Sequence, residues 1–173
     1  MALYLLNLND VIRKLMLHEV EYDAQRGRTY LSPRLNRTGQ ITYLAKLKHA
    51  IESQDAAWLT GQLHGYFDSI ELRRSKKGTI SSDIPNNADE IIAESEFNRF
   101  YMRALCLFAI EKEIKHLIVC RAKHAHNTRP ASKVKVGSSI DPRKLLTDLR
   151  EHAGEKTRFG LGEPSSSLST RLP

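Results

Sequence analysis

An apolar stripe in residues 88–113 constrains the fold of this chain more than any other feature of its sequence. Apolar side chains recur there at three- and four-residue spacing, which predicts a helix about 39 Å long at 1.5 Å per residue. The stripe consists of Ile92, Phe97, Phe100, Tyr101, Ala104, Leu105, Phe108 and Ala109. Because several elements are needed to cover such a stripe, we expect this helix to lie at the centre of the core.

A short apolar run follows the long helix after a polar turn. Leu117-Ile118-Val119-Cys120 is rich in branched side chains, which is typical of a strand that is buried on both faces. We expect it to belong to a small sheet that includes residues 117–122. Its partner strands are expected at 133–136, where Lys and Val alternate, or at 28–31 and 40–43, which form either a hairpin or a loop.

Further helices are predicted on both sides of the long one. Residues 8–24 repeat apolar side chains at helical spacing, and the apolar residues of 44–51 mark a second helix. Asp55 is a suitable N-cap for a third helix, and Asp141-Pro142 is a typical opening for a short last helix. The predicted fold class is therefore α+β, mainly α-helical, with the long helix at its core and one small sheet.

The length of 173 residues, with 40% hydrophobic and 27% charged residues, is sufficient for one core rather than two. We expect a single domain at 1–153, with an exposed basic loop at 73–88. Gly, Ser and Pro dominate from 154 to 173, where the chain has too few apolar residues for a core of its own. We expect this tail to be extended and to dock on a protein partner or on a second copy of the chain. The residues predicted to make that contact are Phe159, Leu161, Leu168 and Leu172.

The net charge of +7 is concentrated in one part of the chain. Residues 1–111 and 151–173 each hold equal numbers of basic and acidic side chains, whereas residues 112–150 hold ten basic and three acidic ones. Such a block favours an acidic partner, for example nucleic acid. The block has no aromatic residue, which favours contacts to phosphates over base stacking. The candidate phosphate-binding residues are Arg121, Lys123, Arg129, Lys133, Lys135, Arg143 and Lys144.

A second interpretation of the charges is that they pair within the fold. A basic cluster at 73–77 and an acidic stretch at the start of the long helix could neutralise each other. Arg121 and Lys123 also have an alternative role, since cations on an edge strand prevent it from pairing with another chain.

Four potential metal ligands lie within eleven residues: His116, Cys120, His124 and His126. Their spacing matches no established zinc pattern, so we expect no metal site. The chain also lacks a Gly-x-Ser-x-Gly nucleophile motif, a phosphate-binding glycine loop and a dinucleotide-binding glycine motif. We therefore expect no cofactor and no catalytic residue.

The sequence predicts a non-enzymatic basic assembly subunit that contacts the nucleic-acid backbone through residues 112–150. Its size and layout resemble those of small adaptor proteins of phage particles or mobile-element machineries, a likeness that no motif carries. The alternatives are a free nucleic-acid-binding protein without sequence specificity and a metal-dependent enzyme that uses the His and Cys cluster. With two cysteines, no leader-like start and no apolar run of membrane-spanning length, we expect the protein in the cytoplasm or within a virion, without a membrane partner.

Overall fold

A computed structural model describes residues 3–75, 78–123 and 135–173, apart from the side chains of residues 72–75. The described residues form five helices: α1 (Asp10–Gln25), α2 (Arg37–Ser53), α3 (Ala56–Leu63), α4 (Ala88–Glu111) and α5 (Pro142–Glu151). They also form two small antiparallel sheets from β1 (Ile70–Ser75), β2 (Gly78–Asp83), β3 (Leu117–Arg121), β4 (Ser139–Ile140) and β5 (Leu168–Arg171). The predicted fold class, α+β and mainly helical around one long helix, is confirmed.

Helix α4 lies at the centre of the core, as predicted. Helices α1, α3 and α5 all pack against it, and α2 packs on α1 and α3. Every residue of α4 from Ser95 to Cys106 is buried, which means that the helix is covered on all sides along three turns. The sequence predicted one buried face for this helix. In the structure all of its faces are buried along this stretch, so polar residues of α4 also lie in the interior.

Side-chain caps begin most of the helices. Asn9 caps α1, Asp55 caps α3, and the Asp141 carboxylate accepts hydrogen bonds from two backbone N–H groups at the start of α5. Asn36 caps α2, which therefore contains residues 40–43, so both the strand and the loop predicted as alternatives there are wrong. The first turn of α2 packs closely on Tyr66, and glycine at position 39 makes this contact possible. A Cβ there would lie only 2.9 Å from the Cβ and the carbonyl oxygen of Tyr66. Residues 28–31 form a loop, which was one of the two predicted alternatives.

The predicted strand after the long helix is β3, the central strand of the larger sheet. It pairs with β4 through Leu117 and Ile118 and with β5 through Ile118–Arg121, both antiparallel. The expected partner at 133–136 is only partly described: Lys135 and Val136 are not in a strand, and Lys133 and Val134 lie outside the described residues. The chain closes this sheet with its C-terminal residues instead.

The tail at 154–173 packs on its own chain. Leu161 and Leu168 are 1% and 2% exposed within the main core, and Phe159 and Leu172 are partly buried against it. The Asn98 amide on α4 donates to the Leu168 carbonyl (2.8 Å) and accepts from the Ser169 hydroxyl (2.6 Å). Leu161 and Leu168, which were expected to contact a partner, are thus buried in their own chain, while Phe159 and Leu172 keep part of their surface exposed.

Residues 73–88, predicted to be an exposed loop, fall mostly in the smaller sheet. Strands β1 and β2 form an antiparallel hairpin that runs from the pair Ile70 and Asp83 to the pair Ser75 and Gly78. We call residues 70–83 the β-arm. No helix in the described part of the chain is long and apolar enough to cross a membrane.

We predict that replacing Leu168 with Ala destabilises the isolated chain. The substitution leaves a cavity at a fully buried site, which typically costs about 2–5 kcal/mol of unfolding free energy. Urea unfolding followed by circular dichroism measures the change. The control is Ile41→Ala on α2, where Ile41 is 72% exposed and the expected change is within about 0.5 kcal/mol. Equal stability of the two variants would contradict the packing of the tail on its own chain.

Candidate nucleic-acid interface

Charged side chains of α1 and α4 are buried inside the protein. Arg103 of α4 is fully buried and points at α1. Its Nε donates to Glu19 Oε2 (2.7 Å), and its Nη1 and Nη2 donate to the two carboxylate oxygens of Asp23 (2.6 and 2.8 Å). Glu19 and Asp23 lie four residues apart on one face of α1, so a single guanidinium reaches both carboxylates.

Two more arginines complete this ionic network. Arg99, one turn before Arg103 on α4, forms a bidentate pair with Glu96 (3.0 and 2.5 Å) and lies 3.8 Å from Asp23. Arg150 of α5 donates to both oxygens of Glu19 (2.9 and 2.5 Å). Three arginines thus face three carboxylates, and the network is neutral.

The hydrogen bonds of the network keep Glu19 ionised. Burial is the largest single influence and raises the pKa of Glu19. The hydrogen bonds and charges of Arg150 and Arg103 together outweigh burial, so the net pKa of Glu19 lies below its ordinary value of 4.5. Burial lowers the pKa of Arg99, but the charge and hydrogen bonds of Glu96 reverse this effect and raise it. Glu19 and Arg99 are therefore charged at neutral pH.

A small cavity borders the network between α2 and α4. Its volume is about 10 Å³, which accommodates one water molecule, and Tyr43, Glu96 and Arg99 line it. The Tyr43 hydroxyl is buried and has no hydrogen-bond partner among the described residues. This cavity is too small for a substrate.

The neutral network leaves the basic excess elsewhere in the chain. Asp148 of α5 is also buried, where its carboxylate accepts from the backbone N–H groups of Arg158 and Phe159 (2.9 and 3.0 Å). The network and Asp148 together account for three of the 27 basic and four of the 20 acidic residues. The remaining 24 basic and 16 acidic residues give an excess of eight, one more than the net charge of the whole chain.

Lys123, a predicted phosphate contact, already binds two carboxylates of its own chain. Its ammonium lies 2.6 Å from Glu90 Oε1 and 2.8 Å from Glu94 Oε1, both near the start of α4. The hydrogen bond from Lys123 lowers the pKa of Glu90, whereas burial raises the pKa of Glu94. The acidic start of α4 thus does pair within the fold, with Lys123 as its partner.

Other predicted phosphate contacts are also engaged or lie outside the described part of the chain. Arg121 is partly buried and donates to the Ser167 hydroxyl (3.2 Å), and Lys135 donates to the Phe159 carbonyl (2.7 Å). Arg129 and Lys133 lie outside the described residues. Among the described residues of the basic block, some cations therefore bind groups of their own chain while others are exposed.

Arg143 and Lys144 are exposed at the start of α5. Because Ile140 pairs with Leu117, α5 begins beside the first residues of β3. Two further exposed cations, Lys112 and Lys115, precede β3 in the turn after α4. We call Lys112, Lys115, Arg143 and Lys144 the basic edge. Arg121 and Lys123 lie at the opposite end of β3.

Three acids lie near the basic edge, and one of them has another role. The Asp141 carboxylate caps α5 by accepting from the N–H groups of Arg143 (2.8 Å) and Lys144 (3.0 Å). Glu111 pairs with Lys112 at 3.2 Å, and both side chains are more than half exposed. Such an exposed ion pair contributes little to stability. Glu113 is exposed in the turn after α4.

The His and Cys cluster is only partly described. His116 is exposed before β3, and Cys120 is half-buried near the end of that strand, where burial raises its pKa. His124 and His126 lie outside the described residues. Among residues 3–75, 78–123 and 135–173, no group of three or more His, Cys, Asp or Glu side chains could hold a metal ion. Cys106, on α4, is buried, and burial raises its pKa too, so its thiol stays protonated.

Arg99 and Arg103 were not predicted to be buried, because α4 was identified only by its apolar stripe. The available signal was the spacing: Arg99 and Arg103 lie four residues apart within the stripe, and Glu19 and Asp23 have the same spacing on α1. No protein-family model, curated protein or solved structure matches this chain.

We predict that Arg103→Met lowers the unfolding free energy by about 3–5 kcal/mol, because it leaves Glu19 and Asp23 buried with an unpaired negative charge. Chemical unfolding measures this change. The matched control is Lys14→Met, an exposed lysine on α1, for which the expected change is within about 0.5 kcal/mol. A destabilisation no larger than that of the control would argue against a buried network.

We also predict an acid dependence of stability that passes through Glu19. Its pKa is lower in the folded than in the unfolded chain, so its contribution is complete above the unfolded value of about 4.5 and is lost as the pH falls through the folded pKa. Unfolding by urea from pH 7 to pH 3 should show a fall in stability below pH 5. The fall should be shallower in Glu19→Gln, and parallel curves would contradict the prediction.

Proposed function

We propose that this chain is a non-enzymatic interaction subunit that binds the phosphate backbone of nucleic acid. The observation that supports the proposal is the excess of eight basic residues outside the buried network and Asp148. Because the internal pairs are neutral or acidic in sum, the basic excess of the chain belongs to residues outside them. A positive surface attracts a polyanion without needing a shaped pocket.

Among the described residues of the block at 112–150, the basic edge is the part best placed for this contact. Its four side chains are exposed, and the pair of Lys112 with Glu111 is exposed too. Lys123, Arg121 and Lys135, in contrast, are partly buried against their partners in the chain. Long cations on an exposed edge can each reach a phosphate oxygen, and such contacts position a protein on nucleic acid without reading its sequence. We therefore propose binding with little dependence on base sequence.

The proposed subunit acts within a larger assembly. Leu161 and Leu168 would not provide the contact to its partner, because both are buried in their own chain. A native mass measurement of the purified protein tests the assembly part of the proposal. A monomer in both the presence and the absence of nucleic acid would favour the alternative of a free nucleic-acid-binding protein.

We predict that replacing Lys112, Lys115, Arg143 and Lys144 together with Gln weakens binding equally on two unrelated duplexes. Each phosphate interaction that the substitutions remove should reduce the slope of log affinity against log salt by about 0.9 on duplex DNA. Fluorescence anisotropy at several salt concentrations measures both quantities.

A control variant removes the same charge from other surfaces by replacing Lys14, Lys46, Lys48 and Lys156 with Gln. It should retain most of the salt slope of the unmodified protein. An equal reduction in both variants would show that binding depends on total charge and not on the basic edge. Failure of the unmodified protein to bind at low salt would overturn the proposed function.

A further inference from the structure

Strand β2 forms an exposed edge of the β-arm. The sheet of the arm has two strands, and in the described part of the chain neither packs extensively on a helix or on the larger sheet. Five of the six residues of β2 are exposed, including Ile80 at 54%. An isolated two-stranded hairpin is at best marginally stable in water, and independent stability usually requires three or more strands. A further strand would therefore stabilise the arm.

The base of the β-arm is fixed to the body of the protein. Arg34 forms a bidentate pair with Glu71 on β1 (2.8 and 3.2 Å). Leu35 and Phe67 form a β-bridge just before the arm begins. The arm is therefore held in a defined direction, which lowers the entropy that pairing with another strand would cost.

The hydrogen-bond register of the β-arm determines which backbone groups of β2 point outward. The Ile84 N–H donates to the Ser69 carbonyl (3.2 Å), one step beyond the last pair of β1 and β2. Hydrogen-bonded and non-hydrogen-bonded pairs alternate along an antiparallel ladder, so the bonded positions of β2 are the even-numbered ones. The N–H and C=O groups of Thr79, Ser81 and Asp83 therefore face away from β1. In the described part of the chain, no hydrogen bond from outside the arm reaches these groups.

Strand β2 also lacks the charges that usually protect an edge strand. Charged side chains on an edge commonly prevent it from pairing with another chain. Three of the six residues of β1 are charged, whereas the only charged residue of β2 is Asp83 at its end. Thr79 and Ile80 are β-branched, which favours a strand. Of the two edges of the arm, β2 is therefore the one suited to accept another strand.

We propose that β2 pairs antiparallel with β2 of a second copy of this chain. A two-fold axis at Ser81 places this residue opposite its own copy and Thr79 opposite Asp83, so that each outward N–H group meets a carbonyl. No like charges face each other in this register. The sheet then has four strands with the two β1 strands outermost, about 14 Å apart at about 4.8 Å per strand. This separation exceeds the screening length of about 8 Å, so repulsion between the basic β1 strands is largely screened.

This inference rests on the assembly part of the proposed function and deepens it by naming the partner and the contact. It assigns the contact to β2, because Leu161 and Leu168 of the tail are buried in their own chain. The other possible occupant of the edge is an extended segment of a different protein. A second copy is favoured because β2 is complementary to itself in both register and charge.

The test replaces Ser81 with Pro. Proline removes the outward N–H group at position 81 and leaves the hydrogen bonds between β1 and β2 in place. Sedimentation equilibrium over a range of concentrations should give a dimer for the unmodified protein and half that mass for Ser81→Pro. The matched control is Ser81→Thr, which keeps the N–H group and should remain dimeric. Circular dichroism should be the same for all three proteins, because position 81 lies outside the core.

Hydrogen exchange measured by NMR on the unmodified protein provides a second test. The amides of Thr79, Ser81 and Asp83 should exchange more slowly as the protein concentration increases, because pairing with a second copy engages them. A dimer that forms through another surface would leave their exchange independent of concentration, and this result would overturn the inference.

The outcomes separate this inference from the proposed function. A dimer that persists in Ser81→Pro would overturn pairing through β2, while the assembly part of the proposed function stands. A monomer at every concentration would overturn the inference and leave the edge to a segment of another protein. Nucleic-acid binding is measured separately on the same samples. A dimer with protected amides that does not bind nucleic acid at low salt would support the inference and overturn the nucleic-acid part of the proposed function.

Discussion

The burial of Arg103 is the constraint on which the rest of the structure depends. A guanidinium in the interior is tolerated only when carboxylates satisfy its donors, and Glu19 and Asp23 on α1 do so in a fork geometry that allows little displacement. The pair therefore aligns α1 with α4. Arg150 then uses the same Glu19 to attach α5, and one carboxylate connects three helices that are distant in the sequence. Apolar packing alone would leave the relative positions of these helices less strictly determined.

The same network explains why net charge is a poor guide to the surface of this protein. Five of the six charges of the network are buried, and so is Asp148, whereas Arg150 is partly exposed. Local pairing then decides which cations remain for a partner. Lys123 lies between two carboxylates, while Arg143 and Lys144 extend from a helix whose capping acid is occupied by backbone N–H groups. Position in the fold thus separates cations that the sequence places in one block.

Local signals in the sequence were sufficient for much of the fold. The spacing of apolar residues identified α1 and α4, and the caps Asp55 and Asp141 identified the starts of α3 and α5, because these features act within one or two turns. Pairings between distant segments could not be predicted in the same way. One of the two partners of β3 is β5, which lies far along the chain, and the polar residues of that strand gave no alternating pattern. Of the candidate site, the exposure of Arg143 and Lys144 agrees with a contact role, but the engagement of Lys123 depends on Glu90 and Glu94, which only the fold brings near.

The two kinds of charge in this chain respond differently to substitution. Arg103 cannot be removed without leaving buried carboxylates unpaired, so any role in binding would be limited by its role in folding. The β-arm has the opposite property, because its strands contact mainly each other. Gly78 at the start of β2 has a φ of +121°, a conformation that favours glycine and that most other residues would adopt only with strain. The backbone of the arm is therefore restricted at Gly78, while substitutions at the exposed positions of β2 should leave the core undisturbed.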